Sequence, residues 1–134
     1  MIRAAVAADL AAVLELWGAA RSVHAVTADT PERVAALVES GALLVAEADG
    51  AVVGAVIAAF DGWRGNFYRL ALVPAWRRRG VARRLVAAGE ERLRRLGAPR
   101  VTALVAFDDD VARGFWRSVG FDADQVMGRM VRTL

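Results

Sequence analysis

The sequence predicts an α/β fold on one mixed sheet, and three observations carry that prediction. Apolar runs of β type alternate with segments whose apolar residues recur at helical spacing. The tight-turn pair Asp49-Gly50 lies between two of the β runs. A long amphipathic segment separates two further β runs, which therefore pair most simply in parallel. The 134 residues suit a single domain with one core. The expected architecture is a mostly antiparallel meander with a central parallel strand pair and about four helices.

Ile2 to Val6 is a short apolar run suited to an edge or first strand, and Asp9 is placed to cap the helix after it. Leu10, Val13, Leu14 and Trp17 recur at helical spacing, giving a helix from about Ala8 to Ala20. Arg21 to Asp29 has no period and reads as a loop. Thr30-Pro31-Glu32-Arg33 opens a second helix, with Thr30 as N-cap and Pro31 at the first helical position, and Gly41 closes it. Leu43 to Ala48 and Val52 to Phe60 flank Asp49-Gly50, and a turn from Asp61 to Asn66 leads into Phe67 to Val73.

From about Arg79 to Leu96 the buried face is marked by Ala82, Leu85, Val86, Gly89, Leu93 and Leu96. Glu90 with Arg94 and Glu91 with Arg95 support this helix as i,i+4 pairs, and Gly97 with Pro99 ends it. Val101 to Phe107 is the next strand. Asp108, Asp109 and Asp110 place carboxylates at the start of a last helix, which runs through Phe115 and Val119 to Gly120. Gln125 to Arg132 reads as a final strand.

Composition removes several classes of chemistry. With no cysteine there is no disulfide, thiolate metal site or cysteine nucleophile, and a single histidine argues against zinc, so no metal is expected. None of Ser22, Ser40 and Ser118 has a histidine at motif spacing. Although 57% of the residues are hydrophobic, charges interrupt every apolar run before the ~18 residues of a spanning helix, so no membrane role is expected. The first residues lack the apolar core of a secretory signal, which points to a cytoplasmic protein. All 18 basic residues are arginine and the net charge is +3, a balance that suits an anionic ligand when the charge is concentrated.

The charge is concentrated in one stretch. Leu70 to Val73 reads as a buried strand that stops at Pro74, turns through Arg77, Arg78, Arg79 and Gly80, and opens a long helix at Val81, Ala82, Arg83 and Arg84. A basic, glycine-containing turn into a helix N-terminus suits a phosphate group, because unpaired N–H groups and the helix dipole both face an anion there. A nucleic-acid surface would interleave aromatics with the basic residues; only Trp76 is near, and no nucleic-acid partner is expected.

Leu72-Val73-Pro74 followed by Arg77-x-x-Gly80-x-Ala82 resembles the acetyl-CoA motif of the GCN5-related N-acetyltransferase (GNAT) superfamily. A second stretch, Asp109, Ala112, Phe115, Trp116, Gly120 and Phe121, resembles that family's Asn-x-x-Ala-x-x-Phe-Tyr-x-x-x-Gly-Phe motif. The resemblance spans the whole chain and implies transfer of acetyl from acetyl-CoA to a primary amine by direct attack in a ternary complex. It implies that backbone groups of Leu70, Ala71 and Leu72 hold the pantetheine arm, after a bulge past Leu70 splays this strand from Val101 to Phe107. An N–H near Leu72 would then polarise the thioester carbonyl. It further implies that the turn of Arg77, Arg78, Arg79, Gly80, Val81, Ala82 and Arg83 wraps the pyrophosphate, and that Asp109 stands at a donor-binding position.

Departures from the motif fall on the catalytic half. Trp116 occupies the position where the family commonly carries a tyrosine acid, and an indole gives up no proton near neutral pH. Leu104 stands where ribosomal-protein-alanine acetyltransferases of the family carry a glutamate base. Asp109 replaces asparagine and serves equally well as a structural helix cap. Tyr68, the only tyrosine, is the candidate that lies on the strand leading to the thioester, and it also suits a half-buried strand position. His24 lies in the loop that in this family lines the acceptor pocket. The acceptor is a small molecule or a protein N-terminal amine. The reading of another class is a CoA-binding sensor or partner-binding module that has lost catalysis, and the protein is expected as a monomer or homodimer.

Overall fold

A computed structural model describes residues 1–20 and 23–134. Arg21 and Ser22, part of the expected loop, lie outside the described residues. The elements follow in the order β1 (Ile2–Ala4), α1 (Leu10–Ala20), α2 (Pro31–Ser40), β2 (Leu43–Ala48), β3 (Ala51–Phe60), β4 (Gly65–Leu72), α3 (Val81–Arg95), β5 (Val101–Ala103) and α4 (Asp110–Ser118). Strand order matches chain order, from β1 to β5. All neighbours are antiparallel except β4 and β5, which run parallel across the α3 crossover.

Local chemistry explains most boundaries. The hydroxyl of Thr30 accepts the Arg33 N–H, Pro31 opens α2, and Gly41 closes it with φ +77°. Asp49 and Gly50 both have positive φ, as a two-residue hairpin turn requires. Asp9 differs from its expected role as an N-cap. It lies at the end of a short 3-10 turn, Ala7–Asp9, where its carboxylate accepts the Val6 N–H and both terminal nitrogens of Arg3. Arg3 also donates to Glu47, so the first strand is clamped to both the helix start and β2.

The sheet separates two apolar layers. On one face Val13, Leu16, Trp17 and Val34 of α1 and α2 pack on Leu43, Val45, Ala55, Ile57 and Ala71. On the other, Val81, Leu85, Val86 and Leu93 of α3, with Trp116 of α4, pack on Leu44, Val56, Ala58 and Phe67. Gly89 lets α3 approach the sheet, because a Cβ there would lie 2.3 Å from Phe67 Cε1.

Four expectations are corrected along β4 and beyond. Ala55 faces Ala71 and Ile57 faces Tyr68, so Val56 alone opposes Arg69 and Leu70. The bulge therefore comprises Arg69 and Leu70 rather than following Leu70, and Arg69 takes φ +56° to form it. Strand β5 stops at Ala103 instead of reaching Phe107. The bulge bends β4 away, and the last bond between the two strands is from the Leu104 N–H to the Phe67 carbonyl at 3.4 Å.

The strand expected from Gln125 to Arg132 is absent among the described residues. Asp124 Oδ1 accepts the N–H groups of Val126 and Met127, committing the start of this run to a turn. Three-residue β5 offers too short an edge for the rest to join, and Val126 and Met130 are 88% and 98% exposed. The parallel pair consequently lies at the edge of the described sheet, not at its centre.

Candidate functional site

The parting of β4 from β5 creates the site. Register pairs the strands at Gly65 with Val101, Asn66 with Thr102 and Phe67 with Ala103, and then ends. Beyond it, the Val73 N–H donates to the Val53 carbonyl and Ala71 lies opposite Ala55, both toward β3. Since alternate residues of a strand address the same neighbour, Leu70 and Leu72 turn their backbone groups toward the open side. Ala71, grouped with them in the sequence, is engaged in the β3 ladder.

The open side leads into the basic turn. After the 3-10 turn Pro74–Trp76, Arg78 and Gly80 take positive φ of +60° and +79°, which excludes helix there and delays α3 to Val81. Gly80 has no side chain to cap the helix, and the first helical N–H to be bonded is that of Arg84, to the Gly80 carbonyl. The N–H groups of Val81, Ala82 and Arg83 precede it at the positive end of the helix. A Cβ at Gly80 would meet nothing within 4 Å, so the turn presents open backbone.

The arginines divide by role. Arg77 closes the 3-10 turn, its N–H donating to the Pro74 carbonyl. Arg79 lies over the Trp76 ring at 4.9 Å, a cation–π contact that holds the guanidinium beside the turn. Arg83 points instead to α4, where it donates to the carbonyl and hydroxyl of Ser118.

The remaining sequence candidates separate. Tyr68 immediately precedes the bulge and is partly exposed. Trp116 is 8% exposed and belongs to an aromatic cluster, with ring centroids 5.6 Å from Phe67, 5.5 Å from Phe115 and 4.9 Å from Phe121. Asp109 caps α4 by accepting the Ala112 N–H at 2.9 Å.

Two pairings had no signal in the sequence. Arg69, at the bulge, forms an ion pair with Asp29 at 2.9 Å and donates to the Thr27 carbonyl. His24, in the same loop, meets Asp108 after β5, its Nε2 lying 2.9 and 3.1 Å from the two carboxylate oxygens. The hydrogen bond from the imidazole, and then its charge, hold the Asp108 carboxyl below its ordinary range. A cavity of about 520 Å³ beside this pair is lined by Ala20, Val23, His24, Ala106 and Asp108 to Val111. Among the described residues no cluster of His, Asp and Glu assembles a metal site, and no helix is long and apolar enough to cross a membrane.

Residues 10–121 match the model of a family described as Acetyltransferase (GNAT) family. A Yersinia enterocolitica acetyltransferase is 34% identical over 84 residues, which are 63% of this chain and 60% of that protein, so the matched region spans about three fifths of that relative. Among solved structures, Ard1 from Thermoplasma volcanium superposes with a TM-score of 0.80 at 22% identity, covering 91% of this chain and 82% of that one. AAC(6')-Iy in complex with the bisubstrate analogue CoA-S-monomethyl-acetylneamine superposes with a TM-score of 0.79 at 19% identity, covering 99% and 98%. At these identities the two structures establish likeness of fold.

Proposed function

The chain belongs to the acetyltransferase (GNAT) family, and on that premise we propose that residues 1–134 act as one N-acetyltransferase domain, moving acetyl from acetyl-CoA to a primary amine by direct attack. The observation that carries this reading is the gap between β4 and β5, which runs directly into the open basic turn at Gly80. Donor and turn fit each other chemically. The pyrophosphate takes the N–H groups of Val81, Ala82 and Arg83, with Arg78 and Arg79 beside it, and Gly80 admits its close approach. Leu70 and Leu72 hold the pantetheine arm as a strand would, and the Leu72 N–H polarises the thioester carbonyl. Arg83, tied to Ser118, contributes its backbone N–H rather than its side chain.

The reaction needs an uncharged amine nitrogen, a polarised carbonyl and a leaving thiolate. Trp116 supplies no proton from its buried cluster, and the thiolate leaves unaided. The acceptor is a small amine or a peptide N-terminus; the aminoglycoside analogue bound by AAC(6')-Iy makes aminoglycosides the first acceptors to try.

A second reading, a CoA-binding module without transferase activity, draws on the burial of Trp116 and on apolar Leu104 beside the gap. One experiment separates the two. The protein is incubated with acetyl-CoA and a panel of aminoglycosides, simple primary amines and peptides with free N-termini, and free thiol is followed. Amine-dependent release supports transfer; CoA binding with no such release favours the module. Gly80→Asp is the control for the donor site. The added side chain meets open space and the left-handed backbone strains it by about 1–2 kcal/mol, less than the stability of a typical domain, so the fold is retained while the carboxylate repels the pyrophosphate and CoA binding is lost. A variant that still binds CoA would remove the turn from the donor site.

A further inference from the structure

Residues 24–29 link the two sides of the gap between β4 and β5. At one end they are held to β4 by the ion pair of Asp29 with Arg69, whose side chains are 14% and 19% exposed, and by the bond from Arg69 to the Thr27 carbonyl. At the other end His24 meets Asp108 beyond β5, with side chains 58% and 72% exposed. One end is therefore a half-buried anchor, and the other is a solvent-reached His–carboxylate pair on the wall of the cavity. The strands part immediately below, after Phe67 and Leu104.

We infer that His24 is the general base of the transfer reaction, with Asp108 as its positioning residue, and that the cavity beside them receives the amine. This rests on the acetyl-CoA reading above. A base held by an orienting carboxylate at the edge of a water-reached cavity has the arrangement that proton abstraction requires. The acceptor enters as an ammonium ion and sheds two protons. One passes to the His24 imidazole and on to solvent, and it frees the nitrogen lone pair. The N–C bond then forms, the C–S bond breaks with its electron pair on sulfur, and the second proton reaches the thiolate. Asp108 offsets the positive charge that the imidazole gains. The other ionisable groups on the same cavity wall are Asp108, Asp109 and Asp110, and the ion pair of Arg69 with Asp29 lies at the far end of the loop.

The test compares the native protein with His24→Gln, His24→Ala and Asp108→Asn, reading CoA binding by calorimetry and amine-dependent thiol release across pH. His24→Gln is expected to bind CoA as the native protein does, to lose kcat about 100-fold or more, and to lose the rise of kcat/KM from acid to neutral pH. Asp108→Asn is expected to shift that rise with a smaller loss of kcat, and added imidazole to restore part of the rate in His24→Ala. Native kcat and pH profile in His24→Gln, with CoA binding intact, would overturn the assignment while leaving the acetyl-CoA reading in place. A native protein that binds no CoA, or that releases no thiol with any amine, would overturn both.

Discussion

The indole Nε1 of Trp17 donates to the carbonyl oxygen of Arg69 at 2.9 Å, fastening α1 to the residue at which β4 bulges. Trp17 is 3% exposed, so this bond lies under the apolar layer formed by α1 and α2. Trp17→Phe removes the donor and part of the packed volume, and is expected to cost about 2–3 kcal/mol. In urea unfolding the midpoint should fall while the slope stays constant. An unchanged midpoint would mean that neither this bond nor the lost volume stabilises the fold.

Gly89 and Phe67 set the distance between α3 and the sheet. Alanine at position 89 would gain about 1 kcal/mol of helix propensity. Its methyl, however, would lie 2.3 Å from Phe67 Cε1 and 3.2 Å from Ala58 Cβ, and Phe67 is 1% exposed and enclosed. Overpacking of this kind costs about 1–3 kcal/mol, so Gly89→Ala should be destabilising on balance. Gly114→Ala in α4, where an added Cβ meets nothing within 4 Å, should stabilise by about 0.5–1 kcal/mol. Thermal unfolding of the two variants should move in opposite directions; a shared direction would show that packing does not decide the Gly89 result.

The Arg3–Asp9 pair gives the fold a defined response to acid. The two nitrogens of Arg3, at 2.7 and 2.9 Å, are the main reason the Asp9 carboxyl titrates below its ordinary range, and the Val6 N–H adds to the effect against the cost of burial. A depressed folded value means that the contribution is complete above the unfolded value of about 3.9 and is lost as the pH falls through the folded one. Asp9→Asn should therefore cost about 2–3 kcal/mol near pH 7, because Arg3 loses its main partner. The gap between native and variant should close below about pH 4. Denaturant midpoints measured at pH 7 and pH 3 check this, and a constant gap would remove Asp9 as the source.

Features that depend on neighbours along the chain are legible in the sequence itself. Thr30, Pro31 and Gly41 bound α2 through bonds within a few residues, and Asp49-Gly50 fixes its hairpin through its own backbone angles. The basic turn from Arg77 to Gly80 and the helix start at Val81 are legible because the turn and the helix N-terminus are contiguous. Features that depend on distant partners are not legible in this way. His24 and Asp108 are 84 residues apart, and nothing at either position marks the other. The run from Gln125 to Arg132 has the composition of a strand, but a strand also needs an edge of matching length, and β5 has only three residues. Trp116 is legible as a departure from a motif, while its aromatic surroundings are not.

Trp116 occupies the position at which the resembling motif carries a tyrosine, and its surroundings decide what a substitution there can do. The ring is packed against Phe67, Phe115 and Phe121, within the layer between α3, α4 and the sheet. Trp116→Phe should therefore lower stability by about 1–3 kcal/mol through lost volume and leave kcat for amine-dependent thiol release within about twofold of the native value. Trp116→Tyr restores a hydroxyl of the kind that protonates a leaving sulfur, yet it places that hydroxyl among aromatic rings, so kcat should not rise. Measuring kcat at a temperature well below each variant's unfolding transition separates the two effects. A gain in kcat for Trp116→Tyr would mean that this side chain reaches the thioester, and that the departing sulfur does depend on a proton from α4.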